Sequence, residues 1–342
     1  VDQGSSCDST IGNTSFELSS SEDSEDVEQY TQDPGTISNL KKENLAVAPP
    51  TQRFDIDQKH RNDPAYCGEY IADIIEHLRE SEREGRHYMD TQAEIDGKMR
   101  AILIDWIVEV IDEFSLSFDT LCLAKTLVDR VLEGDRTIRK AKLQLLGIVA
   151  MQLASKFIDV DSPSVDDFAT ISAGTCNTDE IIQSERRILA ERLSYELCIP
   201  TEVPFLARYV EIVCSNFDED ERKQVELQTR FYCESTLLVY DFTLFRPSII
   251  ALSCVALALY ALNHDPWPTV LESHCKLRWC DTKLCSCIRS LQNCILYPSY
   301  PSLLAVSNKY FGCNPKPVAT PSQLIHAQHP EPAKKGGMDR TR

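Results

Sequence analysis

The histidines and cysteines are the residues that could most readily do chemistry. The 342-residue chain has 14 Cys and 7 His. One stretch holds His274, Cys275, Cys280, Cys285, Cys287 and Cys294. A structural zinc site wants two close ligand pairs able to reach one tetrahedral centre. Cys280, Cys285 and Cys287 do not form such pairs, and Cys287 and Cys294 sit a heptad apart on an expected helix. They read as core or half-exposed thiols, so no metal and no cofactor is expected. The sequence also lacks a GxGxxG turn, a Walker-type loop, HExxH and GxSxG. Its residues therefore point away from catalysis and towards binding.

The most informative helix is Met99-Arg100-Ala101-Ile102-Leu103-Ile104-Asp105-Trp106-Ile107-Val108-Glu109-Val110. It is apolar on almost every face, which suits the middle of a bundle or a face given to a partner. Met99, Ile102, Trp106 and Glu109 follow helical spacing and share one side. Pattern alone reads all of them as core.

The elements that must position these residues are helical. No Pro occurs from Ala65 to Ser162, or from Ser164 to Ile199. Proline costs about 3 kcal/mol inside a helix, so long Pro-free blocks with helical periodicity imply helices. Helices are expected over 65–82, 98–116, 119–133, 138–159, 164–172 and 178–196. After the break at Pro200 and Pro204, they are expected over 204–216, 219–240, 247–263, 267–274, 281–296 and 300–310. Asp119 or Thr120, Thr178 and Asp218 are expected caps, and Pro247 suits a first helical turn. About five helices, a Pro break and about five more suggest a structural duplication.

Residues 1–53 are read as a disordered acidic tail, and 314–342 as a second disordered tail rich in Pro and Gly. The net charge is −18. That argues against direct binding to nucleic acid or an anionic membrane, which needs basic patches. The start lacks the apolar run of a secretory signal, and the free thiols suit a reducing compartment. Residues 247–262, the longest apolar stretch, read as a core helix rather than a membrane span.

The segment at 99–110 resembles the opening of the cyclin box, and its Val-Glu-Val ending looks like the A-type version. Upstream, Asp55-Ile56-Asp57, Asp63-Pro64, Cys67, Tyr70, Asp73-Ile74 and Leu78-Arg79-Glu80 are similar to the lead-in of A-type cyclins from plants and related eukaryotes. Downstream, Asp129-Arg130, Lys142-Leu143-Gln144-Leu145-Leu146-Gly147, Leu153-Ala154-Ser155-Lys156-Phe157 and Phe245-Arg246-Pro247-Ser248 fall in family order. The resemblance covers about 54–311.

It implies an all-α fold of tandem cyclin boxes, about five helices each, behind an N-terminal helix. The lead-in would be 54–97, the first box 98–199 and the second 200–313. It also implies a regulatory subunit that binds and activates a cyclin-dependent kinase. Lys156 and Glu185 match the family's kinase-facing pair. Leu153, Phe157 and Leu189 would add apolar contact, and Tyr70, Asp73 and Ile74 would touch the kinase's other lobe. Arg100 and Asp129 look like the family's internal ion pair. Met99, Ile102, Trp106, Glu109, Leu143 and Gln144 match its docking groove for Arg-x-Leu substrates and inhibitors. That assignment expects Met99, Ile102 and Trp106 to keep exposed apolar area together.

Lys42-Glu43-Asn44 looks like a degron read by the anaphase-promoting ubiquitin ligase. Ser20, Ser21 and Ser24 lie among acids, as an acidophilic kinase would require. The family suggests nucleus and cytoplasm. A second reading is a cyclin-fold transcription-type adaptor that activates no kinase. It would call for a basic surface and loss of the Lys156/Glu185 pair, and the sequence has neither feature.

Two departures from the family pattern stand out. Ile158-Asp159 replaces the usual pair of acids after Ser-Lys-Phe/Tyr. The run from Glu185 to Tyr195 is one residue longer than usual.

Overall fold

A computed structural model describes residues 66–313 together with Asp57, His60 and Pro315. The Lys42-Glu43-Asn44 motif, the acidic serines and nearly all of both expected tails lie outside the described residues. Among the described residues there are helices and turns but no strands.

Helix α1 (Ile71–Ser81) precedes two five-helix units. The first contains α2 (Gly97–Glu113), α3 (Phe118–Gly134), α4 (Leu143–Ile158), α5 (Val165–Ile171) and α6 (Thr178–Arg187). The second contains α7 (Glu202–Val213), α8 (Glu219–Leu237), α9 (Pro247–Ala261), α10 (Thr269–Cys275) and α11 (Thr282–Leu296). A last short helix, α12 (Ala305–Lys309), returns to pack on α2 and α8. Each expected helix has a counterpart; most are shorter, whereas α3 extends one residue further at both ends and α2 and α7 start earlier.

Local chemistry sets several of those ends. Asp96 caps α2 by accepting from the Met99 amide at 2.7 Å. Asp218 and Glu221 form a capping box at α8, as the sequence suggested. Two expected caps move upstream. Ser117, not Asp119 or Thr120, caps α3, and Asn177, not Thr178, caps α6. In both cases a side-chain oxygen accepts from the amide three residues on, the ordinary capping geometry.

Pro247 occupies the first turn of α9, where its missing N–H costs little. No neighbouring side chain in sequence caps that helix. Glu82, just past α1, does so instead: its carboxylate accepts from the Ser248 amide at 2.5 Å and the Ser248 hydroxyl at 2.7 Å. Burial pushes the Glu82 carboxyl upward, although both Ser248 bonds favour its charge. The lead-in is thereby tied to the second unit. Arg79 adds to this by donating to the Tyr209 hydroxyl and the His274 carbonyl, both at 3.4 Å.

The core has a central helix in each unit. In the first, α4 packs against α2, α3, α5 and α6. By length and composition, the segment Lys140–Ile158 could cross a membrane, but most of it is enclosed by its neighbours. In the second, α9 packs against α7, α8 and α11. Residues Ser248–Leu259 are all buried, so α9 is a core helix. Gly147 lets α2 approach α4 closely. A Cβ there would lie 2.8 Å from Leu103 Cδ1.

The cysteine-rich stretch divides by burial. Cys275 and Cys287 are buried, Cys285 and Cys294 are intermediate, and Cys280 is exposed. Among the described residues, no group of His, Cys, Asp or Glu is placed to hold a metal ion.

Candidate functional site

The C-terminal end of α4 carries Lys156 and Phe157, and α6 carries Glu185. The Lys156 ammonium donates to Glu185 Oε1 at 2.7 Å. The pair is open to solvent on the Lys156 side. Next to Lys156, Phe157 is 48% exposed, a large apolar side chain left without full cover. Leu189 is half-buried.

Leu153 is a correction. It is only 3% exposed, because its side chain points into the α4 core, so it has almost no surface to give a partner.

The extra residue between Glu185 and Tyr195 has a physical form. α6 continues into a π-helical turn, Ile188–Arg192. The Leu193 amide donates to the Ile188 carbonyl at 3.0 Å, five residues back. A π turn absorbs one inserted residue without shifting the helix before it. Ser194 and Tyr195 then take left-handed backbone angles. This turns the Tyr195 ring outward, 71% exposed. Phe157 and Tyr195 line one cleft of about 820 Å³, together with Lys125, Glu196, Leu197 and Glu202. In the sequence Tyr195 stood out only as the end of the lengthened run, not as a lining residue.

The other departure, Ile158-Asp159, also has a structural role. Asp159 turns inward, accepting from the Ser117 amide at 3.2 Å and the Thr120 hydroxyl at 2.5 Å. It fastens the start of α3 to the end of α4. Ile158 and Val160 on either side remain exposed. On α1 and its approach, Tyr70, Asp73 and Ile74 are exposed as well.

Arg100 and Asp129 form a two-armed pair, with Nε–Oδ1 2.6 Å and Nη2–Oδ2 2.8 Å. Arg100 is fully buried. Burial opposes the Asp129 charge, but Arg100, Lys125 and the Tyr88 hydroxyl outweigh it and hold the carboxyl below the usual range. Arg100 Nη1 also donates to the Leu237 carbonyl at 3.0 Å. One guanidinium therefore joins α2, α3 and the end of α8. The second-unit link was not visible in the sequence, because a backbone carbonyl has no residue signature.

The expected groove on α2 is shallow. Met99 and Ile102 are half-buried, Trp106 is 7% exposed and Glu109 is exposed. Leu143 is fully enclosed and so presents no lining surface. Gln144 is nearly buried, and its amide oxygen accepts from the Thr175 hydroxyl at 2.7 Å. The expectation of shared exposed apolar area thus reduces to Met99 and Ile102, with only a margin of Trp106. Beside them Asp105 accepts from the Ala305 amide at 3.0 Å. Burial raises the Asp105 carboxyl to about 6. Burial also raises Glu109.

Comparison with known proteins agrees with this architecture. Residues 73–198 match the family described as "Cyclin, N-terminal domain", and residues 200–324 match "Cyclin, C-terminal domain". Cyclin-A3-1 of Arabidopsis thaliana is 35% identical over 301 residues, covering 83% of this chain and 83% of that relative. Cyclin-A1-2 of Oryza sativa subsp. japonica is 34% identical, covering 76% of this chain and 54% of that protein. In fold, the chain is similar to a viral cyclin from herpesvirus saimiri. The TM-score is 0.58 at 19% identity, covering 67% of this chain and 97% of the viral one. The chain belongs to the cyclin family, on its A-type branch.

Proposed function

We propose that this chain binds and activates a cyclin-dependent Ser/Thr kinase and recruits Arg-x-Leu substrates during the cell cycle. The observation that carries the reading is the Lys156–Glu185 pair, 2.7 Å apart, beside exposed Phe157 and the cleft that it shares with Tyr195. The pair gives one donor-rich and one acceptor group at a partly apolar surface. Such groups can bond the backbone of a kinase's regulatory helix and favour its active state. The chain itself supplies no catalytic step.

Recruitment of Arg-x-Leu segments by Met99, Ile102, Trp106 and Glu109 is part of the proposal. The apolar side chains would take the Leu and the carboxylate the Arg. Recognition of Lys42-Glu43-Asn44 by the anaphase-promoting ubiquitin ligase, and residence in nucleus and cytoplasm, belong to the same reading.

The test is histone phosphorylation by a purified mitotic or S-phase cyclin-dependent kinase mixed with this chain. The wild type should activate, and Lys156→Ala or Glu185→Ala should lose most of the stimulation while keeping the fold. Failure to bind any such kinase would sink the proposal.

A further inference from the structure

A second cleft, of about 580 Å³, is lined by neither Lys156 nor Glu185. The turn leaving α3, the start of α4 and the outer side of α6 form it. Val131, Leu145 and Ile188 are buried beneath it and give it an apolar floor. Its walls carry Arg139, Lys142, Arg187 and Arg192 against Asp135 and Glu180.

Two of these cations are already neutralised. Arg192 meets Asp135 at 2.8 Å, and Lys142 is paired with Glu180. Arg139 and Arg187 make no side-chain hydrogen bond or ion pair among the described residues, and both are exposed. The cleft therefore holds two surplus guanidinium charges in a chain of net charge −18.

We propose that this cleft takes the phosphorylated Ser or Thr side chain of a docking peptide. A phosphomonoester near neutral pH carries nearly two negative charges and three acceptor oxygens. Two planar guanidinium forks match that demand, each able to bond two oxygens at once. A carboxylate offers one charge and two oxygens, so it would satisfy only one fork. An extended polyanion such as nucleic acid is disfavoured by the surrounding net negative charge. The two standing ion pairs fix the cleft walls while leaving Arg139 and Arg187 to the ligand.

The residues that would hold the phosphate, Arg139 and Arg187, are distinct from Lys156 and Glu185, neither of which lines the cleft. The experiment uses the full chain and a fluorescent pentapeptide of otherwise uncharged residues with one central phosphoserine. Anisotropy is read alongside the same peptide with Ser or Glu at the centre, and inorganic phosphate serves as competitor. The phosphopeptide should bind at least tenfold tighter than either control. Arg139→Gln with Arg187→Gln should remove that preference, and Arg136→Gln, outside the cleft, should keep it. Thermal unfolding of each variant separates loss of binding from loss of fold. Equal binding of the phosphorylated and Ser peptides would overturn the proposal, as would retained preference in the double variant. Inorganic phosphate binding as tightly as the peptide would leave a simple anion site and overturn the docking role.

Discussion

Lys125 and Glu202 face each other across the junction of the two boxes, with Nζ 3.6 Å from Oε1 and both side chains nearly buried. Lys125 stands on α3 and Glu202 opens α7. Asp129 is also 3.7 Å from the Lys125 ammonium. Burial disfavours the Lys125 charge, yet Glu202 and Asp129 outweigh it and raise its affinity for the proton. Removing one member of a buried pair leaves the other charge uncompensated, at about 3–5 kcal/mol. Glu202→Val or Lys125→Met alone should therefore lower the denaturant midpoint strongly. The double variant should recover most of the loss, because an apolar pair of similar volume fits a buried site at least as well. A double variant no more stable than the weaker single would refute this account.

Asp105 offers a pH prediction with a definite sign. Its carboxyl is raised from 3.8 to about 6, chiefly by burial. The folded chain thus holds the proton more tightly than the unfolded chain. Stability from this group is fully present below about 4, and it falls as pH rises through about 6. Asp105→Asn keeps an acceptor for the Ala305 amide and removes the charge. It should stabilise the chain by up to about 2 kcal/mol at pH 7.5, after allowing for partial solvent screening, and by almost nothing at pH 4. Melting curves at the two pH values decide the matter.

Gly147 is predicted to be intolerant for a packing reason, not a conformational one. A Cβ would press on Leu103 Cδ1 at 2.8 Å, and Leu103 is fully buried with little room to turn. Gly147→Ala should cost about 1–3 kcal/mol despite its better helix propensity. Trimming the obstacle in Leu103→Ala/Gly147→Ala should make the second substitution nearly neutral. Urea denaturation of the four chains in that cycle gives the coupling.

The π turn predicts an unusual tolerance to deletion. Removing Ala190 should let Ile188–Arg192 close as ordinary α-helix, with a loss of stability below about 1 kcal/mol. Removing Ala150, in the buried middle of α4, should abolish folding, because it rotates half a core helix out of register. Circular dichroism and thermal melts separate the outcomes. If both deletions were equally damaging, the turn would not be the place that absorbs the extra residue.

Much of this architecture was legible because helices announce themselves locally. Pro-free periodic blocks, Asp218 with Glu221, and Pro247 in a first turn all act within a few residues. Long-range chemistry was harder to see. Glu82 caps α9 across 166 residues, and no local pattern marks a carboxylate for that task. Arg100 was expected to pair with Asp129 and does, but its bond to the Leu237 carbonyl follows from how the boxes pack. At the candidate site, Lys156, Glu185 and Phe157 fell on accessible surface. Leu153 and Leu143 did not: both were carried over from the family resemblance, and a matching position does not show which way a Leu side chain faces.

The returning helix α12 affects how the chain is made. Asp105 on α2 accepts from the Ala305 amide 200 residues later, and Lys309 and Tyr310 bond Glu234. A ribosome adds about 5–20 residues per second. The first box is therefore complete and can collapse roughly 5–20 s before the segment that covers part of α2 exists. Throughout that interval the nascent first box has an open seam along α2, which makes it a natural client for chaperones until synthesis reaches the final turns.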